Sequence, residues 1–146
     1  MIFLDTGFIF ALIAESDVNH ARAVEFLEGQ GERRLSDFVV TTNHVVAETL
    51  TLVRTRAHKS AAIRHELAVK VGENLFAGTF GRIYQVTAED EREAFAYFAT
   101  HRDQEYSFVD CVSFTVMLKL GITEALTFDA HFSHRFIARP GPAQIR

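Results

Sequence analysis

Four acids stand where a folded chain could gather them into one site. Asp5 directly follows the apolar run Ile2-Phe3-Leu4, and Asp129 directly follows Ala125-Leu126-Thr127-Phe128. Glu48 falls in the second turn of one helical stretch and Asp110 in the first turn of another. Their surroundings are apolar. Asp110 lies within Phe108-Val109-Asp110-Cys111-Val112, and Glu48 shares a helix face with Val45 and Leu52. Acids are seldom buried without partners, and converging carboxylates repel one another unless some stay protonated or a cation joins them. A divalent cation resolves that conflict. An all-oxygen ligand set selects hard ions, so Mg2+ or Mn2+ is expected rather than zinc. Such an ion can activate a water and polarise a phosphoryl oxygen.

Each acid also has a plainer reading. Ser107-Phe108-Val109-Asp110 fits a capping box with Asp in place of Glu. Asp129 and Asp5 could each cap the element that follows. Glu48 alone could be a partly exposed helix acid. The joint pattern favours a shared site over four separate coincidences.

The elements that must position these acids alternate in type. Short apolar runs at Ile2–Leu4, Phe38–Thr41, Ile83–Val86 and Ala125–Phe128 read as strands, with a shorter fifth at Phe136–Ala138. Helical patterns lie between them: Phe8–Glu15; a stretch capped by Asp17 or Asn19 and running to Gly29; one capped by Thr42 or Asn43; Ser60–Phe76; one from Thr87 through Phe98; and a long apolar one from Ser107 to Leu120, stopped by Gly121. Strands alternating with helices predict a parallel sheet covered on both faces. Strand C-termini then share one edge, and helices that follow strands begin there. Asp5, Asp129 and Glu48 belong on that edge, and Asp110 joins them if its helix starts on the same side. The chain reads as one domain over 1–138, with a loose tail at 139–146.

The bulk properties narrow the classes further. The 146 residues are 48% hydrophobic and 23% charged, enough for one self-sufficient core. Cys111 is the sole cysteine, which excludes an intramolecular disulfide and suits a cytoplasmic setting. The apolar N-terminal stretch is interrupted by Asp5-Thr6-Gly7, lacks a basic leader and is too short to span a bilayer. The net charge of -4 gives no general attraction to nucleic acid. A local basic cluster of Arg54, Arg56, His58, Lys59, Arg64 and His65 could still track a phosphate backbone, or could be a solvated or subunit-contacting face. Arg135 and Arg139 are further candidate phosphate contacts. His131, two residues from Asp129, could approach a substrate, and His44 precedes Glu48 by one helical turn, but both are read first as structural or surface residues, since neither has metal-ligand spacing to another histidine, and Cys111 is read as a core residue.

The motifs Phe3-Leu4-Asp5-Thr6-Gly7, Val46-Ala47-Glu48-Thr49, Tyr106-Ser107-Phe108-Val109-Asp110-Cys111 and Leu126-Thr127-Phe128-Asp129-Ala130-His131-Phe132 together resemble the successive acidic motifs of PIN domains. They are most similar to the toxin ribonucleases of VapBC-type toxin–antitoxin modules, as is Asp17-Val18-Asn19-His20. The resemblance implies a three-layer α/β/α sandwich around a mostly parallel sheet. It also implies a metal-dependent ribonuclease in which Asp5 and Asp110 are the main ligands of Mg2+ or Mn2+. Glu48 would bind directly or through water, Asp129 would complete the site, and Thr6 and Ser107 would support it. A homodimer, an RNA substrate and a small antitoxin partner are implied with it. Rival readings are a DNA nuclease, a non-cleaving scaffold, an aspartyl-phosphate phosphatase and a Rossmann nucleotide binder. Gly7 stands where the phosphatase wants a second Asp, and the Rossmann glycine motif is absent.

Overall fold

The computed structural model describes residues 1–143. Five strands form one sheet: β1 (Ile2–Leu4), β2 (Val39–Thr42), β3 (Arg82–Tyr84), β4 (Glu124–Thr127) and β5 (Ile137–Pro140). Their order is β3-β2-β1-β4-β5, and every pairing is parallel. Six α-helices connect them: α1 (Thr6–Ile13), α2 (His20–Glu28), α3 (Asn43–Arg56), α4 (Ala61–Phe76), α5 (Ala88–Thr100) and α6 (Phe108–Leu120). The architecture is the α/β sandwich the sequence implies.

Burial follows position in the sheet. The three central strands carry Phe3, Leu4, Val39, Val40, Ala125 and Leu126, all buried. They show continuous burial rather than alternation because both faces are covered. The edge strands β3 and β5 are half exposed. Thr41 Oγ1 donates to the Leu4 carbonyl at 2.8 Å, binding β2 to β1 just before both strands end at the site edge.

The capping residues read from sequence mostly do that work. Thr42, Ser60, Thr87 and Ser107 each accept a backbone N–H at the start of α3, α4, α5 and α6. Asn19 precedes α2 without a side-chain cap bond, and Asp17 accepts the Asn19 N–H instead. Gly121 takes the left-handed conformation, φ 66°, that closes α6, and the Ile122 N–H reaches back to Met117. Gly81 admits β3 beside β2, since a Cβ there would meet the Val39 carbonyl oxygen at 2.4 Å.

Strands β2 to β5 shift by one or two residues from their expected ends, and two boundaries bear on the site. Helix α1 begins at Thr6 rather than Phe8, so Asp5 stands at the turn from strand to helix. The segment read as a loose tail opens inside β5: Arg139 and Pro140 pair with β4, the Gly141 N–H bonds the Thr127 carbonyl, and Arg22 donates to the carbonyls of Pro140 and Gly141. A periodic apolar pattern could not show this, because an edge strand next to Pro and Gly has little of it. Residues 144–146 lie outside the described residues.

Candidate metal centre

The chain leaves β1 toward β2 and β3 on one side of the sheet, then crosses to β4 and β5 on the other. The reversal falls between β1 and β4, the place where open parallel sheets form a crevice at their C-terminal edge. Asp5 ends β1 and Asp129 follows β4, so these two acids flank that crevice. The Asp5 N–H donates to the Leu126 carbonyl at 3.1 Å, which locks the two strand ends together. Glu48 reaches the crevice from α3 and Asp110 from the first turn of α6.

The four acids lie close enough to act on one another's charge. Burial pushes the Asp5 carboxyl up to about 7, opposed by a hydrogen bond from Thr127 and reinforced by the charges of Asp110, Asp129 and Glu48. Burial likewise raises Glu48, with Asp110 and Asp129 adding repulsion and a hydrogen bond with Thr6 opposing it. Burial also raises Asp110; its bond with the Ser107 backbone opposes this, and Asp129 adds to it. Among the described residues no lysine or arginine pairs with any of the four. Clustered carboxylates, one buried and three partly buried, with no lysine or arginine partner form the donor set of a hard divalent cation, so the residues fit one.

The plainer readings hold beside this one at two positions. Asp110 completes a capping box: its Oδ2 accepts the Ser107 N–H at 3.0 Å while Ser107 Oγ accepts the Asp110 N–H. Asp129 caps the 3-10 helix Ala130–His134 by accepting the His131 N–H at 2.8 Å. Asp5 makes no cap bond to α1. Ser107 therefore serves the helix start, whereas Thr6 lies against Glu48 and contacts Thr49 Oγ1 at 3.4 Å.

Two functional residues escaped the sequence reading of roles. Thr127, at the end of β4, donates to Asp5 Oδ2 at 2.8 Å and accepts the Asp129 N–H at 3.0 Å. One buried hydroxyl thus orients two of the acids. Its only signal was its place in the last motif. His131, read as structural, has Nδ1 3.5 Å from both Asp110 Oδ2 and Asp129 Oδ1. Asp110, Asp129 and His131 each offer a ligand atom within 4.8 Å of the other two.

The other candidates separate. His44 pairs with Glu91 at 3.0 Å and lines the same groove as Glu48. Cys111 is buried in the core, and burial with the Asp110 charge pushes its thiol up to about 11, which leaves it inert. In the basic cluster, Arg64 is committed to the carbonyls of Arg54, His58 and Lys59, closing the end of α3. Arg54 and Arg56 occupy the last turn of α3, and Arg56 lines an open groove of about 720 Å³ that passes Glu48. Lys59 follows in the loop before α4. Arg135 lies over the Tyr97 ring at 5.2 Å, and Arg139 pairs with Glu124 at 2.7 Å on β5.

A parallel five-stranded sheet with its acids at the β1–β4 reversal is the arrangement of a PIN domain. The family model named "PIN domain" matches residues 2–135, and the chain belongs to that family. It is 38% identical over 133 residues to the 23S rRNA-specific endonuclease VapC20 of Mycobacterium tuberculosis, covering 91% of this chain and 92% of the relative. The crystal structure of that VapC20, described as a sarcin-ricin loop cleaving toxin, superposes with a TM-score of 0.78 at 36% identity, over 92% of this chain and 94% of that one. FitAcB from Neisseria gonorrhoeae shares the fold at a TM-score of 0.66 and 19% identity, over 96% of this chain and 98% of that one.

Proposed function

We propose that the protein is an Mg2+- or Mn2+-dependent endoribonuclease, the toxin of a type II toxin–antitoxin pair. The observation that carries the reading is the convergence of Asp5, Glu48, Asp110 and Asp129 at the sheet reversal with no lysine or arginine among them. The 38% identity to a ribosomal RNA endonuclease supports RNA as the substrate class, with 23S rRNA the first to test. A cytoplasmic location, a homodimer and an inhibitory antitoxin belong to the same proposal. No described helix is long and apolar enough to cross a membrane.

Asp5 and Asp110 would hold the ion, with Glu48 and Asp129 completing the set. When bound, such an ion lowers the pKa of a water and draws charge from a phosphoryl oxygen. The chain does the rest. Thr127 fixes the Asp5 carboxylate, and Ser107 fixes Asp110. Arg56 lines the groove that passes Glu48, with Arg54 in the same last turn of α3 and Lys59 in the loop beyond, so a phosphodiester backbone in that groove would meet positive charge. Arg135, over Tyr97, is a further candidate contact. The attacking group in this reading is water, not a side chain. The water oxygen bonds to phosphorus as the bond to the leaving ribose oxygen breaks, with no covalent enzyme intermediate.

The test uses purified protein and ribosomal RNA with mapped product ends. Cleavage should vanish in EDTA, return with Mn2+ or Mg2+, and vanish again in Asp5→Asn and Asp110→Asn. Cleavage that persists in EDTA and in both variants would refute the assignment.

A further inference from the structure

We infer that His131 Nδ1 is a ligand of the ion held by Asp110 and Asp129, so the centre takes a nitrogen donor and favours Mn2+ over Mg2+. The inference rests on the divalent-ion reading above and narrows it.

The geometry is that of ligands awaiting a shared ion. Nδ1 lies 3.5 Å from Asp110 Oδ2 and 3.5 Å from Asp129 Oδ1, and the three atoms lie within 4.8 Å of one another. Two donors each about 2.2 Å from one ion sit about 3 Å apart when adjacent and about 4.4 Å apart when opposite. The two 3.5 Å spacings from Nδ1 fall inside that interval.

Nδ1 is itself buried, and at 3.5 Å from the two carboxylates it makes no well-formed hydrogen bond within the described residues. A buried ring nitrogen without a partner costs free energy, so it calls for one. Other features hold the ring in this attitude. Asp129 Oδ1 accepts the backbone N–H of His131, setting the start of the 3-10 turn. Tyr106 packs against the ring edge-to-face, centroids 5.2 Å apart, and is itself bonded through its hydroxyl to His134 at 2.8 Å. Phe132, the next residue, is fully buried and anchors the turn in the core. With the ring proton on Nε2, the Nδ1 lone pair faces the two carboxylates. An imidazole donor shifts a site from Mg2+ toward transition-metal ions, of which Mn2+ also accepts carboxylates.

The experiment loads the purified full chain with Mn2+ and records pulsed electron paramagnetic resonance. Nitrogen-14 modulation should appear in the native protein and change to the nitrogen-15 pattern when histidine is isotopically labelled, a control that needs no mutation. It should disappear in His131→Ala, whose fold is checked by circular dichroism. By calorimetry, His131→Ala should weaken Mn2+ by about tenfold or more and Mg2+ by much less. Mn2+ bound at this centre, lost in Asp110→Asn, yet showing no nitrogen coupling would overturn the inference while leaving the nuclease reading intact. Failure of the native protein to bind either ion would remove both.

Discussion

Helices α5 and α6 open with the same device, and the two starts have opposite electrostatic fates. Thr87 and Asp90 form one capping box, Ser107 and Asp110 the other, each with reciprocal bonds. Burial disfavours the charge on Asp90, but Lys119 Nζ at 2.7 Å and the Thr87 and Tyr84 donors hold its carboxyl far below the usual range. Asp110 has its cap bond and a neighbouring His131, yet burial and the facing Asp129 raise its carboxyl. Asp5 goes further, to about 7. The lesson is that a cap motif does not say whether an acid is structural. What decides is whether the fold brings a permanent cation, as Lys119 is brought to Asp90, or leaves that place without lysine or arginine.

The largest expected effect breaks the comparison at its functional end. Asp110→Asn and Asp5→Asn should each lower cleavage by roughly a thousandfold or more, because the ion supplies several kcal/mol of transition-state stabilisation. Circular dichroism should show both folded. Removing the charge from Asp90 should do the reverse. Asp90→Asn should lower the melting temperature by roughly 5 °C, through a weakened cap and the lost Lys119 pair, with little change in cleavage.

The pH dependence sharpens the contrast. A carboxyl raised in the folded state favours folding when protonated, so the Asp5 contribution is fully present below its unfolded value near 3.8 and is lost as pH rises through about 7. Metal-free protein should therefore lose up to about 4 kcal/mol over that window, measured by urea titration. Asp5→Asn should flatten the slope. Asp90, depressed instead, stabilises above its unfolded value and loses that only in stronger acid, so it should add nothing across the same window. The smallest expected effect is that of Thr127→Val, which should weaken metal binding by roughly tenfold while the fold survives. An unchanged affinity in that variant would separate Thr127 from the site.

How far the sequence carries can be judged at these same residues. The alternation of strands and helices, the caps at Thr42, Ser60, Thr87 and Ser107, and the Gly121 stop are local, and local rules find them. The acids were legible because each stands beside a strand end or in an early helical turn. Thr127 was not, because its role exists only once β4 lies against β1. The 3-10 turn that swings His131 toward Asp110 has no periodicity to read. Lys119 and Asp90 meet across 29 positions. Arg64 looked like part of a basic track, and only the structure shows its guanidinium spent on three carbonyls.

The Thr127 hydroxyl has one proton, and accepting the Asp129 N–H leaves that proton directed at Asp5 Oδ2. The second oxygen of Asp5 carries no such donor and is the more open of the two to an acid proton or a metal. Proton and metal compete for one carboxylate, so near neutrality the readiness of this site is set by the acidity of its surroundings as much as by the supply of ions.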